Sequence, residues 1–390
     1  MTQPIPVNPA ILQWARQTAG FSVEEVVLKL DRKSITAETI AAWERGESAP
    51  TYPQLETLAY RIYRRPLALF FFPDPPSEET PEQTFRTLPE YEIDLMPPRI
   101  HFLIREAKVR QLNLAELYDN INPAERQIAR DLSFAPDVSA EKMATVVREY
   151  LQIDIAMQTK WKDSEEALKS WRHALEEHGV FVFKAVFKAD DFSGICLYDE
   201  QFPVIYVNNS KSKSRQIFTL FHELAHLLFR TGGVDTRIED YLNYLHGDNR
   251  RIEILCNRFA GEFLVPSRDF ARRTKGMRID DASIQKLADC YHVSREAILR
   301  KMVDRSMVNQ KYYEDKVREW ERAIASKKSR TGGDYYRNTG AYLGEPYLEM
   351  AFSRYYQKRI STEQLADYLG VKVKSVPGME AMLFRKGVAV

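Results

Sequence analysis

Three cysteines in 390 residues, at 196, 256 and 290, are too few and too scattered to frame a disulfide scaffold. They read as reduced thiols of a cytoplasmic protein. An excess of charge of one sign is also missing. Lys and Arg number 56 against 55 Asp and Glu, a net of +1, so no overall field calls for nucleic acid or membrane as a partner. The longest apolar stretch, around Leu67–Phe72, is far too short to span a bilayer. The start, MTQPIPVNPA, has neither the basic nor the apolar region of a secretory signal. No internal repeat stands out. What is present is an ordinary globular composition, 44% hydrophobic and 28% charged, in a chain long enough for two or three domains.

Apolar spacing and turn residues predict five helices in the first 72 residues, over 9–18, 22–30, 36–45, 52–62 and 66–72. Gly20, Ser22, Asp31, Gly46 and Pro50 separate them, and Ser22 with Glu25 forms a capping-box pattern. Seven prolines between 73 and 98 exclude a continuous helix and predict an extended connector. Helical spacing resumes over 99–131, carried by Ile104, Ala107, Val109, Leu112, Leu114 and Leu117, and again over 140–151 and 164–178. The period then changes. Segments 179–187, 194–198 and 203–208 are short, β-branched and aromatic, with Asp199-Glu200-Gln201 as a hairpin turn. Val204–Asn208 is expected as a free edge able to pair with an extended peptide.

Further helices are expected over 217–229, capped by Gly232-Gly233, and over 250–264, 281–287, 293–305 and 311–328. A Gly/Arg-containing break at 329–340 precedes a last helical stretch of about 50 residues. The fold class is therefore α+β, mostly α. It comprises an N-terminal five-helix module (1–73), a proline-rich linker (74–98), a central domain with a small antiparallel sheet (99–310) and a helical C-terminal module (311–390).

One short run carries chemistry. His222-Glu223-Leu224-Ala225-His226 lies inside IFTLFHELAHLLF. Histidines at i and i+4 stack one turn apart, so both imidazoles reach one ion and Glu223 reaches a water on it. This is the HExxH arrangement of zinc peptidases. Two histidines and an acid in a helix otherwise built of Phe and Leu need such a partner.

A catalytic zinc keeps three protein ligands and one open position. The downstream donors are Asp235, Glu239, Asp240, His246, Asp248, Glu253 and Glu262. Glu253 leads because Cys256, Asn257, Phe259 and Ala260 follow it at one-turn spacings on a packing face, where a cation would relieve a buried carboxylate. His246 stands second. Tyr241, Tyr244, His246 and Arg215 are open candidates for stabilising an oxyanion. Cys256 reads as a packing residue rather than a ligand, and His101, His173, His178 and His292 have no spacing that suggests a site. The same ligands also accept manganese, cobalt or iron.

The run Phe218–Phe229, followed by Glu253-Ile-Leu-Cys-Asn-Arg-Phe-Ala-Gly-Glu-Phe-Leu-Val-Pro266, resembles the ImmA/IrrE family of metallopeptidases. That pattern is HExxH, then E-x-x-(small)-N-x-F-A-x-x-L-L-x-P about 25–30 residues on; Glu253 stands 27 positions after His226. Cys256 replaces the usual Ala, and Phe263-Leu264-Val265 replaces Leu-Leu-Met. The resemblance implies a zincin-like peptidase domain with zinc held by His222, His226 and Glu253. It further implies Glu223 as general base and then acid, and a small helix-turn-helix repressor as protein substrate, in stress or mobile-element control.

Ile40-Ala-Ala-Trp43-Glu44-Arg45-Gly46-Glu-Ser-Ala-Pro50, then Gln54, Leu55, Leu58 and Ala59, resembles the Cro/phage-repressor-like (XRE) helix-turn-helix. Tyr63–Pro73 and Phe85-Arg86 look like the versions fused to such peptidases. By that resemblance Ser34, Thr36, Glu38 and Thr39 would face DNA. Over 1–73, however, eight Lys/Arg meet seven Asp/Glu, a weak balance for phosphate contacts, and Val23 stands where a polar Gln is usual. DNA reading and protein docking both stay open for this module. Ser361–Gly370 resembles another small helix-turn-helix half, used for packing or docking. The alternative to a peptidase is a DNA-binding or antitoxin-like regulator whose metal site is structural or vestigial.

Overall fold

The structure, a computed structural model, describes residues 3–78, 96–236, 247–325 and 334–387. The chain divides into two units, Met1–Thr84 with Pro89–Glu106, and Phe85–Leu88 with Ala107–Val390. In the first unit, α1 (Pro9–Thr18) is capped by Asn8, and α2 (Val23–Leu30) starts at a capping box between Ser22 and Glu25. A Thr36/Thr39 box starts α3 (Ala37–Arg45). The next helix, α4 (Tyr52–Glu56), continues as a π-helical stretch over Thr57–Tyr63, and a 3-10 helix covers Leu67–Phe71. Five helical segments thus stand where apolar spacing placed them. Ile11, Leu12, Val26, Ile40, Trp43 and Phe70 belong to their shared core. A part-buried ion pair, Arg16 Nε to Glu44 Oε1 at 2.7 Å, ties α1 to α3.

Helix α5 (Pro98–Leu117) is shorter than the spacing over 99–131 suggested. Asp119 and Asn120 take left-handed φ of 53° and 62°, Pro123 follows, and helix returns only at α6 (Ile128–Asp131). Val109 and Leu112, expected to face inward, are 53% and 69% exposed. At 100° per residue they project opposite to Leu103, Ala107 and Leu114, which are buried.

Next come α7 (Ala140–Leu151), α8 (Ile155–Gln158) and α9 (Ser164–Glu177), then strands β1 (Phe181–Ala185), β2 (Phe192–Leu197) and β3 (Val204–Asn208). Helix α10 (Lys213–Leu228), strand β4 (Gly233–Thr236) and helix α11 (Gly247–Leu264) follow. They lead to α12 (Ser267–Thr274), α13 (Asp281–Tyr291), α14 (Arg295–Asp304) and α15 (Gln310–Ala325). The chain closes with α16 (Tyr335–Leu343), α17 (Glu345–Tyr356), α18 (Thr362–Leu369) and α19 (Val376–Gly387). Among the described residues no helix is long and apolar enough to cross a membrane.

The sheet runs β1-β3-β2-β4 and is mixed, which corrects the expected antiparallel sheet. The β2–β3 hairpin and the β2–β4 pair are antiparallel, but β1 pairs with β3 in parallel. β3 is therefore a central strand and not the expected free edge. All five of its residues are buried, and its run VIYVN is apolar on both faces, as a doubly covered strand requires. Gly232-Gly233 does not cap α10 either. The helix closes at Phe229, Arg230 makes the left-handed turn with φ 57°, and Gly233 opens β4.

The expected break at 329–340 is helical from Tyr335, where the Asp334 side chain accepts the Arg337 N–H; 326–333 lie outside the described residues. α16 packs against β1, where Arg172 Nη1 donates to Ala341 O at 2.7 Å and the Tyr347 ring meets Phe183 edge-on at 5.4 Å.

Candidate metal centre

Helix α10 is buried nearly all round from Gln216 to Leu228. Phe221 stacks on Phe263 of α11 at 4.1 Å between ring centroids, and both pack on Trp171 of α9. Those rings seat α10 along α11 and turn His222, His226 and Glu253 toward one another. His222 and His226 are fully buried and Glu253 is 5% exposed.

The donor atoms converge. His222 Nε2 lies 3.3 Å from Glu253 Oε1, His226 Nε2 lies 3.1 Å from Glu253 Oε2, and the two Nε2 atoms are 3.2 Å apart. Ligands about 2.0–2.1 Å from a tetrahedral ion sit about 3.3 Å from each other, so the three edges fit such an ion. This is the one group of three such side chains found among the described residues, and it could hold a metal ion.

The electrostatics ask for a cation. Burial resists charge on His226, yet the Cys256 thiol and the Glu253 carboxylate outweigh it and hold its pKa well above the usual value. A carboxylate this deep needs a proton or an ion beside it. Asn257 Nδ2 donates to Glu253 O at 3.1 Å and approaches Glu253 Oε1 at 3.5 Å. Thr231 Oγ1 stands 3.4 Å from His226 Nδ1 and donates to His226 O at 3.1 Å. Such outer contacts set ring and carboxylate orientation. Cys256, fully buried, lies in hydrogen-bond reach of His226, and burial pushes its thiol up to about 11.

Other candidates stand elsewhere. Glu262 accepts from Ser267 N at 2.8 Å and from Ser267 Oγ at 2.7 Å, and pairs with Lys301, so it is a strut between helices. Arg215 donates from Nε to Ser193 Oγ at 3.1 Å and lies over Phe218, whose ring stacks along His222. The side chains of Asp235 and Asp248, and all of Glu239, Asp240, Tyr241, Tyr244 and His246, lie outside the described residues, as does Phe85-Arg86. His178 bonds the Ala174 carbonyl and His173 pairs with Glu177, in keeping with residues outside any site.

Ser34, Thr36 and Glu38 are exposed around the start of α3, where Thr36 and Thr39 cap the helix and Glu38 pairs with Arg45. Sequence reasoning missed Gly194, Gly233 and Thr231. The first two signal only by lacking a side chain, and Thr231 falls beyond Phe229, where the helix closes although the sequence predicts its cap only at Gly232-Gly233.

Residues 175–303 match the family model of peptidase M78, described as the IrrE N-terminal-like domain. That span includes His222, Glu223, His226 and Glu253. A search of curated proteins finds no match to the chain.

Proposed function

We propose that the chain is a zinc-dependent endopeptidase, with its catalytic domain over 99–310, that cleaves a partner transcriptional regulator in the cytoplasm. The observation that carries this reading is the convergence of His222, His226 and Glu253 at 3.1–3.3 Å inside a peptidase-like domain. When bound, zinc supplies Lewis acidity that lowers the pKa of a water and polarises the scissile carbonyl.

The protein's own groups do the rest. His222 and His226 present Nε2 lone pairs, and Glu253 supplies the compensating charge. Glu223, one residue along from His222, takes the proton from the attacking water and passes it to the leaving amine. Among the described residues β4 ends the sheet beside α10, and an extended substrate adding to its outer side would bring a peptide bond past Glu223.

The substrate we favour is a small helix-turn-helix repressor, docked by the first unit. Arg16, Arg45 and Arg65 of that unit pair with Glu44, Glu38 and Glu47, and Glu78, which draws them from phosphate contacts and favours protein over DNA. The exposed start of α3 keeps a DNA-binding regulator as the second reading. Nanomolar, sequence-specific DNA binding that survives His222→Ala would carry it instead.

The test is incubation of zinc-loaded protein with purified repressors of this class. Cleavage at one bond, abolished in Glu223→Gln while binding persists, is the expected result. Uncut repressors that Glu223→Gln binds no better than wild type would sink the reading.

A further inference from the structure

Glu223 points its other side at the sheet. On β2, Gly194 and Cys196 are two residues apart and so share the face turned to α10. A Cβ at Gly194 would collide with Thr219 and lie 2.8 Å from Glu223 Oε1. Gly233, paired with Cys196 across β2 and β4, opens the same space from the next strand. A Cβ there would lie 3.0 Å from Glu223 Oε2 and 2.6 Å from both Cγ and Cδ2 of His226. Between the two glycines stands Cys196, fully buried on the face of β2 that the Glu223 carboxylate approaches. Burial pushes this thiol well above its ordinary pKa, so it keeps its hydrogen. A thiol is a weak donor, and the carboxyl oxygens of Glu223 are the acceptors that face it.

We propose that Gly194, Cys196 and Gly233 form a positioning notch for Glu223, in which the glycines admit the carboxylate against the sheet and the Cys196 Sγ–H fixes its orientation. Cys196 acts through Glu223 and is a positioning residue. Any side chain at 194 or 233 would drive the carboxylate, or the His226 ring, out of place. The effect on turnover rests on the peptidase reading above; the notch itself does not.

The experiment reads the S–H stretching band of the intact protein by infrared absorption. The band lost in Cys196→Ser identifies the Cys196 thiol among the three cysteines of the chain. That band should sit at lower wavenumber than a thiol with no acceptor, and move up in Glu223→Gln, where an amide replaces the carboxyl group. A Cys196 band that stays in place in Glu223→Gln overturns the proposal. Zinc affinity, by competition with a chelator, should fall at least about tenfold in Gly233→Ala because His226 is displaced; unchanged affinity in a folded Gly233→Ala protein also overturns it. Should that variant fail to fold, the infrared pair still decides, since neither of its substitutions alters a glycine. In turnover, Cys196→Ala should lower kcat with KM unchanged, and Cys196→Ser should restore it. If wild type cleaves nothing while the S–H response is as expected, the peptidase reading fails and the notch stands.

Discussion

Glu253 supplies the one carboxylate of the candidate centre, so its replacement by Ala should leave no zinc where wild type holds about one per chain, measured by metal analysis after dialysis. A stoichiometric zinc in that variant would refute the ligand set. The distance of Glu253 from HExxH and the one-turn spacing of Cys256 and Asn257 put it on the inward face of α11, and the structure brings it to 3.1–3.3 Å from both histidines. Asn257 was visible as a motif position, but not as the group that holds the Glu253 carbonyl and carboxylate. Gly194 and Gly233 were opaque because their meaning lies in what approaches them across the fold. Asn257→Ala should weaken zinc binding about tenfold by chelator competition while leaving the metal-bound stoichiometry intact.

A second residue carries a pH dependence away from the site. Burial of Asp269 opposes its charge, but Arg273, Tyr291 and Arg272 outweigh that and hold its carboxyl below the usual value. Tyr291 Oη donates to it at 2.7 Å and Arg273 Nε at 2.6 Å. A depressed folded pKa means the contribution is complete above the unfolded value near about 4 and is lost as pH falls through the lower folded value. Asp269→Asn should therefore cost about 1–3 kcal/mol at neutral pH. The gap to wild type should close as the pH drops below about 4. Thermal melts across that range check this; a gap that stays constant in acid removes the carboxylate as its source.

At the scale of elements, helices were legible because a 3.6-residue period and a capping residue are both local. Strand partners were not, since β1, β2 and β3 show where strands form and nothing about which one lies between the others. Nor was the closure of α11 legible. The last carbonyls of a helix lack partners within it, and here remote side chains supply them. Arg148 of α7 donates from Nε to Phe263 O at 3.1 Å, while Gln158 Nε2 donates to Leu264 O at 3.0 Å and to Tyr291 O at 2.9 Å. Gln158 is fully buried. Gln158→Leu should cost about 2–4 kcal/mol, seen as a lower denaturant midpoint with an unchanged slope. Zinc affinity should stay within about twofold, because Glu253 lies about 16 Å away along α11 at about 1.5 Å per residue. A large loss of zinc affinity would mean that the helix moves as one body when its end is freed.

For the molecule as a whole, the C-terminal helices belong with the second unit. Ser361 and Gln364 form the capping box expected at the start of α18, which local sequence could announce. Their docking could not be announced, because it runs through single side chains far apart in the chain. Tyr347, 2% exposed, accepts from Arg110 Nη1 at 3.0 Å and donates to Tyr368 O at 3.0 Å, with its ring against Phe183 of β1. Asn209 Nδ2 donates to Tyr342 Oη at 3.3 Å beside it. These helices cover β1, the strand at the other end of the sheet from β4. An uncovered edge strand offers unpaired backbone to other chains. A chain ending after Ala325 should therefore melt at lower temperature and scatter light on warming, and Tyr347→Ala should lose about 3–5 kcal/mol without truncation. Zinc stoichiometry should survive in both, since α10 and α11 supply every donor of the candidate centre. A truncated protein that stays monomeric with an unchanged melting point would show that the sheet does not depend on this cover, and would turn attention to the outer surface of α16–α19 as the reason those helices are kept.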